Sequence, residues 1–233
     1  MILRWLISFS LVAGISGATL TGKVELSGSQ DPSVRRDRNY SGVVVWLEPV
    51  GKLSRPSPVK VDMVQKNKTF VPHVLAIPVG STVSFPNFDP IFHNAFSNYN
   101  GQVFDVGLYP PGTTRSIAFR KAGIVRVFCN IHPSMSAVIV VLDSANYAVT
   151  NRAGTYSLKD VPPGQYTLHV FHERATDATL QALSRRITMG SSDETAPLLT
   201  VSETGYVMTP HVNKYGKEYP PAEDMLGYPA PKR

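Results

Sequence analysis

Apolar and polar residues alternate with a period of two along much of this chain, the mark of strands that bury one face. Residues 19–28 place Leu20, Gly22, Val24 and Leu26 on one side, and 43–47 (Val43-Val44-Val45-Trp46-Leu47) form a second, more continuous apolar run. Runs over 70–79 and 82–85 flank the turn dipeptide Gly80-Ser81, and runs over 102–108 and 116–119 flank Pro110-Pro111-Gly112. Residues 124–128 and 136–142 close this central region, the second of them unbroken in its apolar character, as in a buried sandwich strand. A third block reads as strand, turn and strand from 147 through Val161-Pro162-Pro163-Gly164 to 170, with room for a short helix within 173–186 and a last strand at 197–201. The pattern predicts an all-β protein.

Composition agrees with many short strands joined by turns: the 233 residues include 19 Pro and 17 Gly. Arg4, the apolar run 5–15 and the small residues Ser16-Gly17-Ala18 have the form of an export signal cleaved near Ala18, so residues 1–18 are read as a leader. No later stretch is long and apolar enough to span a bilayer, and the expected location is the periplasm or the secreted fraction. The net charge is +6, but basic pairs such as Arg35-Arg36 and Arg185-Arg186 are scattered among acids, which argues against a nucleic-acid surface. From about 203 to 233 the Pro-rich polar sequence is read as an extended tail, with His211 solvated.

Chemistry concentrates at Cys129-Asn130-Ile131-His132-Pro133-Ser134-Met135, directly after the run 124–128. The protein has one cysteine, and in an oxidising compartment an odd thiol is best explained by a bound metal. Alternation puts Cys129 on the inward face with Val125 and Val127, where imidazoles from neighbouring loops can meet it. His93 supplies a second imidazole upstream. Two imidazoles, a thiolate and a thioether suit copper in both oxidation states, whereas a structural zinc site wants four Cys or His ligands, usually with paired cysteines. His73, Met63 and Gln65 are weighed as supplementary ligands against a plain surface reading. No Gly-x-Ser-x-Gly elbow, phosphate-binding Gly loop or His-Glu-x-x-His helix is present.

The segments from Phe85-Pro86-Asn87 to His93-Asn94 and from Val127 to Met135 resemble the two ligand loops of the cupredoxins, the short Cys-to-Met loop being similar to that of amicyanins. The resemblance covers roughly 61–142. It implies a Greek-key β-sandwich, one type 1 copper, equatorial ligands His93, Cys129 and His132, and an axial Met135. It also implies that Asn94 hydrogen-bonds between the loops and tunes the sulfur. Residues 150–170, with 20–24 and 42–47, resemble a carboxypeptidase-regulatory or Cna-B type of sandwich. The expected organisation is therefore a smaller second sandwich, formed by 19–50 and 143–202, with the copper domain inserted into it. Pairing of 20–26 with 164–171 is the expected sign of that insertion.

The function these features imply is single-electron transport by an exported copper protein, not an enzyme. Its redox partner would be an amine dehydrogenase or a c-type cytochrome. Copper storage or transfer, or a structural envelope module with a modified site, is the alternative. An enzyme would require an open copper position, with Met135 outside the coordination sphere.

Overall fold

The computed structural model describes residues 17–51, 56–98, 101–207 and 211–219. The first part of the chain gives β1 (Ala18–Ser27), the short helix α1 (Pro32–Asp37) and β2 (Val44–Pro49). The central part gives β3 (Lys60–Asp62), β4 (Val64–Lys66), β5 (Thr69–Val71), β6 (Val74–Pro78), β7 (Thr82–Pro86), β8 (Phe96–Ser97), β9 (Phe104–Asp105), β10 (Thr114–Ala118), β11 (Gly123–Phe128) and β12 (Ser136–Leu142). The last part gives β13 (Tyr147–Val149), β14 (Thr155–Val161), β15 (Gly164–Phe171), helix α2 (Asp177–Leu183), β16 (Arg185–Met189), β17 (Glu194–Thr195) and β18 (Leu199–Ser202). The expected all-β character is present. The leader reading falls outside the described residues except at its end, where Ala18 is buried and pairs with Val161.

Four sheets result. In the outer pair, one sheet runs β14-β1-β17 with β18 also on β1, and the other runs β13-β2-β15-β16. In the central pair, the sheets are β10-β7-β3 and β6-β12-β11-β8-β9, with β4-β5 as a separate hairpin. Alternation explains the outer core: Leu20, Val24 and Leu26 of β1 meet Val45 and Leu47 of β2, Leu158 of β14 and Leu168 and Val170 of β15. The expected pairing of 20–26 with 164–171 is not what forms. β1 pairs with β14, and it is β2 that pairs with β15, from Pro49↔Tyr166 to Val44↔Phe171. Residues 20–26 and 164–171 therefore face each other across a core instead of sharing a ladder.

The apolar runs without alternation are strands buried on both sides. On β12, Ala137, Ile139 and Val141 enter the central core, while Val138, Val140 and Leu142 point the other way. Val43, just before β2, and Val45 and Leu47 of β2 face the outer core, and Val44 joins Val138, Val140 and Phe171. One seam of apolar side chains thus joins the two sandwiches, each buried Val or Leu contributing about 1.5–3 kcal/mol. A polar cluster borders it. His73 of the central sandwich donates from Nε2 to Glu173 Oε1 at 2.8 Å, and Arg174 pairs with Glu203 at 3.0 Å and with Asp31 at 3.2 Å.

Candidate metal centre

Loop 129–135 begins where β11 leaves the sheet. It closes on itself through hydrogen bonds donated by the Cys129 amide to the Met135 carbonyl (3.1 Å) and by the Met135 amide to the His132 carbonyl (3.0 Å). This turn holds Cys129, His132 and Met135 at one end of the central core; Cys129 and Met135 are fully buried in the same apolar cluster. His93 arrives from the loop that links β7 to β8. Its backbone exchanges hydrogen bonds with Tyr109 at 3.1 and 2.9 Å, and Tyr109 is itself fixed by donating from its hydroxyl to the Phe85 carbonyl at 2.8 Å.

The result is a convergence. Cys129 Sγ lies 3.5 Å from His132 Nδ1 and 3.9 Å from His93 Nδ1, and the two imidazole centroids are 4.8 Å apart. Among the described residues, these three are the His, Cys, Asp and Glu side chains whose ligand atoms gather, all within 4.8 Å of one another.

His93 is oriented from behind. Its Nε2–H donates to Asp89 Oδ2 at 2.7 Å, which leaves Nδ1 as the lone pair, and Nδ1 is the nitrogen that faces the sulfur. Asp89 is held in turn. Oδ1 accepts the Asn67 amide at 2.6 Å and Oδ2 the Lys68 amide at 2.8 Å. Those two residues form the tight turn between β4 and β5, both left-handed (φ 54° and 53°), and that conformation aims both N–H groups at one carboxylate. Asn87 completes the frame by accepting the Asp89 amide at 3.0 Å and donating to the Ile91 carbonyl at 2.8 Å.

Electrostatics prepare the donors for a cation. Burial pushes His132 down to about 4, aided by the proximity of His93 and Lys68. Burial also lowers His93, against the pull of Asp89. Both rings are therefore neutral near pH 7, with lone pairs available. Burial raises the Cys129 thiol, opposed by the amides of Ile131, Asn94 and His132 directed at the sulfur. Burial acts to raise Asp89 as well, but the Lys68 amide, His93 and the Asn67 amide outweigh it and keep it ionised. A metal entering this site displaces one proton, from sulfur.

Other expected residues sit elsewhere. His73 does not reach the centre: Nδ1 lies 3.0 Å from the Ser136 carbonyl and Nε2 is taken by Glu173. Met63 and Gln65 are fully buried, against the surface reading; Gln65 donates to the Asn94 carbonyl at 3.2 Å. The Asn94 side-chain amide donates to Asp105 (2.7 Å) and to the Gly107 carbonyl (3.0 Å), and its backbone amide is directed at the sulfur. His211, expected to be solvated, is half-buried and stacks on Phe128, centroid to centroid 4.1 Å. Asp89 was missed by sequence reasoning; its position four residues before His93 was the available signal.

No protein-family model matches the chain. Over 56 residues, 24% of this chain and 49% of the other, it is 43% identical to methylamine utilization protein MauL of Methylorubrum extorquens. The chain thus spans about half the length of that curated relative. Similar solved structures include a purple cupredoxin from Nitrosopumilus maritimus (26% identity, 36% of this chain, 99% of that one, TM-score 0.32) and amicyanin from Paracoccus versutus (22%, 42%, 97%, 0.33). The strands and the His–Cys–His cluster define an all-β protein with a buried thiol flanked by two neutral imidazoles.

Proposed function

We propose that this protein binds one copper ion through Cys129, His93 and His132, with Met135 as fourth donor, and relays single electrons between partner proteins outside the cytoplasm. The observation that carries the reading is the approach of one sulfur and two Nδ1 atoms, 3.5 and 3.9 Å away, in a pocket whose imidazole tautomer is already chosen by Asp89. The donor set fits copper: it is soft enough for the reduced ion, and borderline imidazole suits the oxidised one. Copper there would supply a one-electron couple.

The chain's own residues do the rest. The self-bonded loop and the clamped Asp89 keep the donors fixed, so little has to move between redox states. The buried surroundings keep water from sulfur. His132 is half-buried beside exposed Pro133, with Phe88 65% exposed and Leu108 49% exposed on the same sandwich, which gives the site an apolar edge toward a partner. The likeness to a methylamine utilization protein supports an amine dehydrogenase as one such partner, with a c-type cytochrome proposed as the other. The central sandwich 61–142 is the redox unit in this reading. The surrounding sandwich, built from 19–50 and 143–202, is a rigid platform; its carboxypeptidase-regulatory likeness rests on the sequence motifs of 150–170.

Voltammetry of the copper-loaded protein separates the alternatives. A reversible one-electron wave with rapid reduction by a reduced c-type cytochrome is expected. An irreversible wave with slow exchange would instead indicate copper storage or transfer.

A further inference from the structure

The loop hydrogen bonds described above leave the Cys129 and Pro133 carbonyls free, and both are taken by the C-terminal segment 211–219. The Tyr219 hydroxyl donates to the Cys129 carbonyl at 2.8 Å, and His211 Nε2–H donates to the Pro133 carbonyl at 2.7 Å. Between them, the Lys214 amide donates to Asn130 Oδ1 at 2.9 Å. The three attachment points, 129, 130 and 133, interleave with the donor positions 129, 132 and 135.

The segment is braced to do this. His211 stacks on Phe128, the last residue of β11, and its Nδ1 lies 3.2 Å from the Tyr219 oxygen. A turn centred on Asn213, whose side chain accepts the amides of Tyr215 and Lys217 at 2.9 and 3.1 Å, brings Tyr219 back beside His211. Lys214 Nζ meets Asp105 Oδ2 at 2.7 Å, and Asp105 Oδ1 accepts from Asn94, the neighbour of His93. One short segment therefore reaches both ligand loops: the cysteine loop directly, and the His93 loop through Lys214, Asp105 and Asn94.

We propose that residues 211–219 are a strap that positions the metal-binding loops, with the Tyr219 hydroxyl and the His211 imidazole as its positioning groups, and that it controls how fast bound copper is released. The second half of this inference rests on the copper reading; the first does not. The strap adds its bonds only in the ordered loop, so losing them raises the population of the open loop through which metal escapes. Each neutral hydrogen bond is worth about a fivefold change in that population, and the two together about 25-fold.

The test uses the full-length protein, Tyr219→Phe, His211→Ala, the double variant and His211→Gln, which keeps a donor near the Nε2 position. Amide hydrogen exchange of 130–135 is measured without metal, with the β12 amides as an internal control. Copper transfer to excess chelator is then timed on the loaded proteins. Exchange should quicken about fivefold in Tyr219→Phe and more in the double variant, with partial recovery in His211→Gln and no change in β12. Copper loss should accelerate in parallel. Unchanged loop exchange in the double variant overturns the strap, whatever the metal does. Faster exchange with unchanged copper loss overturns the control of release. A wild-type chain that takes up no copper contradicts the functional reading alone, since loop exchange still decides the positioning role.

Discussion

Replacing Asp89 by asparagine is the sharpest probe of how the site is preorganised. Two carboxylate oxygens serve three donors: the amides of Asn67 and Lys68, and His93 Nε2–H. An asparagine offers one oxygen and one NH2 group, so at least one of these donors loses its acceptor and faces another donor. An unpaired buried donor costs about 1–3 kcal/mol of folding stability. If His93 is the group left facing NH2, its proton shifts to Nδ1, the nitrogen that must be bare for a metal. Loss of such an outer partner lowers metal affinity about 10- to 100-fold. Urea unfolding of the metal-free protein reads the first quantity, and competition for Cu(I) against a chromophoric chelator reads the second. Both should fall together in Asp89→Asn. An affinity within twofold of wild type would refute the argument that Asp89 fixes the His93 tautomer.

Three further outcomes are expected. Val140, 1% exposed on the seam face of β12, should lose about 1.5–3 kcal/mol of stability when changed to alanine, read by chemical denaturation; a neutral result would mean that the sandwiches are not joined there. Burial, aided by the neighbouring Arg174 charge, holds His172 below its unfolded value near 6.5 in the folded protein, so the unfolded chain binds the extra proton as pH falls through that value. Stability should then decline as pH falls below 6.5; His73, which Glu173 raises, takes its extra proton above 6.5 and does not offset this decline, and a flat urea midpoint between pH 6.5 and 4 would count against it. Met135→Leu should keep the colour of the copper-loaded protein and raise its potential in voltammetry; bleaching on that change would make the thioether indispensable.

What was readable in the sequence, and what was not, follows from range. Strand faces were legible because burial on one side imposes a period of two, and β2 and β12 announced their double burial by dropping it. The trio His93, Cys129 and His132 was legible because one short loop after an alternating strand carries two of its members. Strand partners were not: β1 chose β14 over β15 because pairing depends on which faces close a core, a relation between residues more than a hundred positions apart. The role of Asp89 was hidden for a similar reason, since the amides that hold it come from a left-handed Asn67-Lys68 turn that lacks the usual Asn-Gly signature. The tail misled through composition. Its Pro-rich polar character reads as surface, yet His211, Tyr215 and Tyr219 recur every four residues, and two of them find partners on the ligand loop.

The central claim, that one thiolate and two imidazoles grip a single copper ion, is tested most directly by adding one equivalent of Cu(II) to the full protein and recording its visible and electron paramagnetic resonance spectra. An intense sulfur-to-copper charge-transfer band with narrow hyperfine splitting, both abolished by Cys129→Ser, is the expected result. A pale solution with ordinary hyperfine splitting, or a colour that survives Cys129→Ser, would contradict it.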